Sequence, residues 1–265
     1  MWTDAAVWHG RCGGSGGRRK VGCAAGRAPL TLAGMTDRPP APTSSRAAGT
    51  ADHWPLRGLR VRTPRLELRY PSPQELDALA DLAADGIHAP DFMPFSVPWT
   101  DVEPAERARA VLQWAWRQAG GFTAEGWNLG LVTFVDGAVV GTQGIEAGRF
   151  PVLREVETGS WLGLGYHGRG IGTEMRHAIV HLAFAGLGAE YVTSSAFEDN
   201  LPSLGVSRKV GYEPDGIMRQ VRRDKPGTLI RLRLARVDWE RRRRDDIEVV
   251  GLPPCLPLFG LAGAG

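Results

Sequence analysis

Gly163, Gly165, Gly168, Gly170 and Gly172 crowd into ten residues of this 265-residue chain, and that spacing is its clearest chemical signal. The stretch Glu157–Arg176 that holds them begins as a strand, with Trp161 and Leu162 closing a β-prone run. It continues as a helix, with Ile171, Met175, Ala178, Ile179 and Leu182 at helical spacing. A glycine-rich turn from strand to helix exposes backbone N–H groups at the positive end of the helix dipole, and such a turn binds phosphate. A merely flexible connection needs neither the strand before it nor the periodic helix after it.

The flanking residues narrow the ligand. Gly163, Gly165 and Gly168 spell G-x-G-x-x-G, but the third glycine precedes the helix instead of lying in it. Glu190 also stands before the next strand, where a dinucleotide fold needs an acid at its end. A nicotinamide or flavin site is therefore disfavoured. A P-loop is excluded because no Gly-Lys-Ser/Thr follows. His167-Gly168-Arg169-Gly170-Ile171-Gly172 instead resembles [Arg/Gln]-x-x-Gly-x-[Gly/Ala], the pyrophosphate loop of the GCN5-related N-acetyltransferases. His167 departs from that pattern at its first position. Such a loop binds mostly through backbone N–H groups, so the departure weakens the match only slightly.

The elements that position the loop read as follows. Leu59–Tyr70 alternates apolar and charged residues and predicts an edge strand interrupted at Pro64. Ser72-Pro73-Gln74-Glu75 is a capping box opening a helix with Leu76, Leu79 and Leu82 on one face. Asp91–Thr100 is broken by Pro94 and Pro98; its Phe92, Met93, Phe95, Ser96 and Trp99 either plug the core or line a substrate pocket. A second helix follows from Pro104 to about Ala119, with Ala108, Val111, Leu112 and Ala115 inward. Trp127–Val135 and Ala138–Ile145 flank the Asp136-Gly137 hairpin turn, and Arg154–Leu162 is a third antiparallel strand. After the loop helix, Tyr191–Ala196 completes a crossover and should run parallel to the strand before the loop. Asn200 caps a helix with Pro202 in its first turn and Gly211 as its stop. A turn at Asp224-Lys225-Pro226-Gly227 leads to a final strand, Thr228–Leu234, and then a short basic helix over Val237–Arg244.

This order of elements, with Asp199-Asn200-x-x-Ser203 and Gly211-Tyr212, is similar to the RimJ/RimL branch of the GCN5-related N-acetyltransferases over about residues 56–246. Three segments, Met93–Trp99, Gly159–Leu164 and Gly172–Arg176, resemble a mycobacterial member described as a succinyltransferase. The resemblance implies an α/β fold whose mixed, mostly antiparallel sheet splays open between two strands to admit acyl-CoA. It implies transfer of an acetyl or succinyl group to a primary amine: a protein N-terminus, a lysine or a small molecule. Attack of a neutral amine on a thioester needs a proton acceptor and N–H donors for the oxyanion. Glu157, on the strand before the loop, is the first candidate base, and Glu146 on the preceding strand is the reserve. Ser203 takes the position of the acid or thiol partner, and Tyr212 is a further group near the thiol. Trp161, Leu162, Leu164, His167, Gly168, Arg169, Gly170, Ile171, Gly172, Thr173, Asn200 and Ser203 form the implied acyl-CoA contacts. A succinyl carboxylate would need a donor; Asp91–Thr100 carries no cation, which leaves Arg149 and Arg154 as outlying candidates. The alternative is a catalytically degenerate member that binds acyl-CoA as a regulatory module.

Composition bounds the remaining classes. Residues 1–50 carry seven basic residues against Asp4 and Asp37, so the net charge of +3 becomes −2 for the remainder, and a nucleic-acid-binding domain is not supported. That Gly-, Ala-, Pro- and Arg-rich tail, residues 1–53, has no periodicity and is expected to be disordered, with Met35 as an alternative start. Residues 54–246 form the expected acyltransferase domain, and the apolar, proline-rich residues 247–265 are expected to pack on it. No stretch approaches eighteen apolar residues, so a cytoplasmic protein without a membrane partner is expected, and a homo-oligomer is open. Cys12, Cys23 and Cys255 lack metal-ligand spacing, and His177 and His181 read as helix-surface residues, so no metal is expected. The bias to arginine, with three lysines in all, fits a GC-rich bacterial genome.

One expectation follows for the tail. A chain starting at Met35 or Ala51 should melt at the same temperature as the full chain and bind acyl-CoA equally well. Thermal unfolding and titration calorimetry of both chains check this; a clear loss in the shorter one would show that the first fifty residues complete the fold.

Overall fold

The computed structural model describes residues 53–262; the tail read from the sequence as disordered lies outside them but for His53. Among the described residues nine strands form one open sheet in the order β7-β8-β6-β5-β4-β3-β2-β1-β9. It is antiparallel throughout except where β5 (Glu155–Leu162) meets β6 (Tyr191–Phe197). Ten-residue β3 (Gly126–Val135) and eleven-residue β4 (Ala138–Gly148) are joined at Asp136-Gly137, both at positive φ, as a tight hairpin requires. The sheet is covered on both faces. Helices α1 (Pro73–Asp85) and α2 (Pro104–Gly120) bury Leu79, Ala83 and Val111 against Val132, Phe134 and Trp161 on one face. Helix α4 (Ile171–His181) packs Met175, Ala178 and Ile179 into the larger cluster on the other face. The Ser72 capping box forms, its hydroxyl accepting from the Glu75 N–H while the Glu75 carboxylate accepts from the Ser72 N–H.

Several strands differ from the sequence reading. Pro64 does not interrupt one edge strand; it turns the chain between β1 (Arg60–Arg62) and β2 (Leu66–Arg69), which pair as a hairpin. That hairpin is no edge either, because β9 (Glu248–Val250) pairs beyond β1. The turn expected at Asp224–Gly227 sits two residues earlier, with Arg223 and Asp224, both at positive φ, between the paired Arg222 and Lys225. It joins β7 (Glu213–Arg222), which the sequence reading missed, to β8 (Lys225–Ala235). The miss has a physical reason. As an edge strand β7 leaves Ile217 and Val221 exposed, so it lacks the alternation that betrays a half-buried strand. A four-residue helical turn, α3 (Phe150–Leu153), was also not anticipated, whereas the loop helix runs on to Gly186 as expected, its last turn over Leu182–Gly186 being π-helical. His181 is not a surface residue: it is 6% exposed, its ring edge-on to Trp239 of α6 (Arg236–Glu240).

The 3₁₀ turn Pro253–Phe259 places Cys255 and Phe259 wholly in the core, where Phe259 meets the Trp127 ring edge-on at 4.8 Å. Removing that ring leaves a cavity at the base of β3. Phe259→Ala is therefore expected to cost about 3–5 kcal/mol of unfolding free energy. Urea titration measures it, and a cost below about 1 kcal/mol would mean the C-terminal segment docks only loosely.

Candidate functional site

The site is built where the sheet comes apart. Strands β5 and β6 run parallel and pair over only three positions, Glu155, Val156 and Glu157 with Tyr191, Val192 and Thr193. Beyond them β5 stays with β4 and β6 stays with β8, so two facing strand edges lose their ladder partners. Unpaired backbone groups inside a protein are costly, and side chains take over the missing bonds. The Thr158 hydroxyl donates to the Thr193 carbonyl at 2.9 Å, and the Ser194 hydroxyl donates to the Thr158 carbonyl at 3.3 Å. The gap opens into a cleft of about 720 Å³ whose walls include Glu157–Leu162 of β5 and Ser194–Ala196 of β6.

The glycine loop forms one end of this cleft. Gly168 and Gly170 take left-handed φ of 73° and 77°, turning the chain so that α4 begins at Ile171 with Gly170 as N-cap. Gly168, Gly170, Gly172 and Thr173 line the cleft. His167 turns its Nε2 back to within 3.1 Å of the Leu162 carbonyl, tying the loop to the end of β5. The loop is anchored from outside by a buried acid. Glu174, 7% exposed, accepts from the Thr63 hydroxyl at 2.6 Å and from Arg65 Nε at 2.7 Å, with Arg65 Nη2 at 2.6 Å. Arg65 Nη1 donates to the Arg169 carbonyl, so the β1–β2 turn holds both the loop and its helix and brings a half-exposed cation beside them.

The opposite wall comes from α5 (Leu201–Val210), capped by Asn200, whose Oδ1 accepts the Ser203 N–H at 3.2 Å. Asn200 and Ser203 both line the cleft. Glu157 does too, with the Ser195 hydroxyl 3.5 Å from its carboxylate. Glu146 stands outside the cleft, opposite Glu157 in the β4–β5 register, and accepts from the Asn128 amide.

The apolar segment divides along the alternatives the sequence left open. Phe92, Phe95 and Ser96 line the cleft, with Pro94, whereas Met93 and Trp99 are buried at 3% and 8% and serve as core. The Trp99 ring sits between Phe95 at 5.3 Å and Trp161 at 6.1 Å, so the Trp161 side chain belongs to that cluster, and the residue also lines the cleft. Arginines of the β7–β8 hairpin hold this segment down: Arg223 pairs with Asp101 and donates to the Pro90 carbonyl, and Arg222 bridges Asp199 and the Met93 carbonyl.

Leu162 and Leu164 also reach the cleft, but Arg169 and Ile171 do not. Ile171 is core, and the Arg169 guanidinium lies 5.7 Å from the Tyr166 ring. Tyr212 is likewise core: 3% exposed, its hydroxyl 3.0 Å from that of Thr158, its ionisation pushed up by burial. Neither Arg149 nor Arg154 lines the cleft. Two cations do, exposed Lys209 of α5 and buried Arg176; both were missed, although Arg176 offered a signal: it falls inside the apolar face of the loop helix, directly after Met175. Among the described residues no cluster of three or more His, Cys, Asp or Glu could hold a metal, and no helix is long and apolar enough to cross a membrane.

Residues 65–213, more than half of the chain and spanning β2 to the start of β7, match the acetyltransferase (GNAT) domain family. The chain belongs to that family. Solved structures share its fold at low identity. RimJ of Mycobacterium smegmatis, solved with CoA-disulfide, is 21% identical with a TM-score of 0.55, covering 68% of this chain and 88% of its own. A GCN5-related N-acetyltransferase from Brucella melitensis is 18% identical at TM-score 0.54, over 68% of this chain and 80% of that one. RimL, a ribosomal L7/L12 α-N-protein acetyltransferase solved with coenzyme A, is 17% identical at 0.51, over 65% and 95%. The splayed strands, the glycine loop and the Asn200-capped helix all lie within the residues that match the family.

The Glu174 anchor yields a pH prediction. Burial acts to raise its carboxyl, but the bonds from Thr63 and Arg65 outweigh burial and hold it below the ordinary value of 4.5. The folded protein thus binds this proton more weakly than the unfolded chain. The stabilisation is complete above about pH 4.5 and is lost as pH falls through the depressed folded value. Glu174→Gln should therefore cost about 1–3 kcal/mol at pH 7, and the gap to the unsubstituted protein should close in acid. Urea unfolding of both proteins between pH 7 and 3 tests this; a gap independent of pH would rule out the charge as its source.

Proposed function

We propose that this GNAT protein is an N-acyltransferase that moves an acetyl or succinyl group from coenzyme A to a primary amine. The observation that carries the reading is the meeting of two features in one cleft. The glycine loop presents N–H groups at the start of α4, and the gap between β5 and β6 accepts an extended chain running from that loop. The pyrophosphate would lie on the N–H groups of Gly168–Thr173, favoured by the helix dipole. The pantetheine arm would take the place of the missing strand pairing along β5, with Asn200 and Ser203 on the far wall. The thioester then reaches the sheet centre, where Glu157 opens onto the cleft and accepts the proton of the attacking amine, directly or through water. A backbone N–H near Trp161–Leu162 would stabilise the tetrahedral oxyanion. The thiolate of coenzyme A leaves readily near neutral pH, so Ser203 needs at most to hydrogen-bond it. Phe92, Phe95 and Ser96 would border the acceptor. RimL is an α-N-protein acetyltransferase; a protein N-terminus is accordingly the acceptor to try first, ahead of lysine and small amines.

The proposed folded unit starts near residue 54 and runs past residue 246, because β9 joins the sheet and Phe259 the core; the proposed location is the cytoplasm. A degenerate, non-catalytic binder is distinguished by its failure to release free thiol from any acyl-CoA with any amine.

Two substitutions separate binding from chemistry. Gly172 is the second residue of α4, where an added Cβ meets only Val206 and Leu162 at ordinary contact distance, and an acid near a helix start is stabilising. Gly172→Ala should therefore fold and bind. Gly172→Asp should fold but lose coenzyme A binding by about a hundredfold or more, because its carboxylate faces the pyrophosphate. Glu157→Gln should bind normally and lose about 10²- to 10⁴-fold in kcat. Calorimetry and thiol-release kinetics read both; equal binding by the Gly172 pair would overturn the loop assignment.

A further inference from the structure

We propose that Arg176 is a carboxylate-binding residue that selects acyl donors whose chain ends in a carboxylate; the inference rests on the acyl-CoA reading of the cleft given above. Arg176 is 3% exposed and lines the cleft. Its guanidinium donates from Nε to Gln143 Oε1 at 3.4 Å, from Nη1 to the Ser194 hydroxyl at 3.1 Å and from Nη2 to the Ser160 hydroxyl at 3.2 Å. The Tyr212 hydroxyl is a further partner; all of these groups are neutral, and among the described residues none of the ion pairs found joins a carboxylate to Arg176. The contrast is two residues away on the same helix, where buried Glu174 pairs with Arg65. A buried guanidinium cannot shed its proton, and burying a charge without a counter-charge is costly. The missing partner is an anion, and the place open to one is the cleft.

Two further observations fix its class and its source. Ser160 lies on β5 and Ser194 on β6, so the guanidinium sits across the gap between the diverging strands, where an acyl chain must pass. A planar fork of N–H groups suits a carboxylate, which it can grip with two bonds. Along β5, Thr158 and Ser160 share one face of the sheet, while Glu157 and Trp161 point to the other. Arg176 therefore stands on the side of the glycine loop and α4, the donor side, and the base candidate with the Phe92–Phe95 border stands on the other. A carboxylate held by Arg176 belongs to the donor's acyl chain in preference to the acceptor. A succinyl-type monothioester of a short dicarboxylic acid carries a free carboxylate at the end of its acyl chain, whereas an acetyl group leaves the guanidinium without a partner.

The test compares succinyl-CoA with butyryl-CoA, which has the same four-carbon chain and no carboxylate, by steady-state kcat/KM with one fixed amine. The unsubstituted protein should prefer succinyl-CoA by at least about tenfold, as expected for a hydrogen-bonded charge pair. Arg176→Gln should erase the preference while binding of free coenzyme A stays within about threefold, and Arg176→Lys should keep part of it. A parallel arm pairs each donor with an amino acid and its amide as acceptors. Equal use of succinyl- and butyryl-CoA by the unsubstituted protein overturns the proposal, even if Arg176 variants fail to fold. A preference carried by the acceptor's carboxylate alone overturns the donor assignment. Absence of coenzyme A binding instead refutes the acyltransferase reading itself, and calorimetry distinguishes that failure from the others.

Discussion

The parting of β5 from β6 is the constraint on which the rest of the molecule depends. A sheet that stops pairing in its own middle leaves carbonyl and N–H groups facing each other across a gap too wide for a ladder. Thr158, Ser194 and Tyr212 put hydroxyls into that gap, and Arg176 spans it from Ser160 to Ser194. The polar residues buried at the sheet centre thus meet needs that the backbone geometry creates. They also keep the gap from collapsing onto an apolar core, which preserves the cleft.

Everything outside the gap holds it at a fixed width. On one side β4 binds β5 over six register positions, and on the other β8 binds β6 over seven. The loop end is tied by two independent restraints, His167 to Leu162 and Glu174 to Thr63 and Arg65, which cross from α4 to the β1–β2 turn. The far border is tied by Arg222 and Arg223 to the segment carrying Phe92 and Phe95. Each restraint joins residues more than a hundred positions apart except the first, so the cleft is a product of the completed fold. Electrostatics follows the same division. The loop end gathers a helix N-terminus and Arg65, suited to a phosphate, while the middle of the cleft opposes Arg176 on one face of β5 to Glu157 on the other.

How much of this could be read from residue order varies by element, for physical reasons. Local chemistry was legible: the Ser72 capping box, the Asp136-Gly137 turn, the Asn200 cap and the left-handed glycines each depend on neighbours within a few residues. The central strands showed as β-prone apolar runs because both faces of the sheet are buried, and the loop helix showed as apolar residues at helical spacing. Strand β7 did not, since an edge strand with exposed Ile217 and Val221 has no burial pattern to display. The β1–β2 hairpin was read as one strand, because alternation continues through Pro64 whether or not the chain reverses there.

The sequence by itself determined the glycine loop, the strands and helices directly before and after it, and the family to which they belong, because those signals are local or periodic. Only the tertiary structure decided which side chains share the cleft. It sent Met93, Trp99 and Tyr212 to the core, kept Phe92 and Phe95 at the border, and set aside Arg149 and Arg154. It brought forward Arg176, which in sequence is one charge on an apolar helix face and in space is a buried cation between two diverging strands. The reason is that burial and pairing of a charge depend on groups far away in the chain, Gln143, Ser160 and Ser194, which only the packed sheet brings within hydrogen-bonding distance.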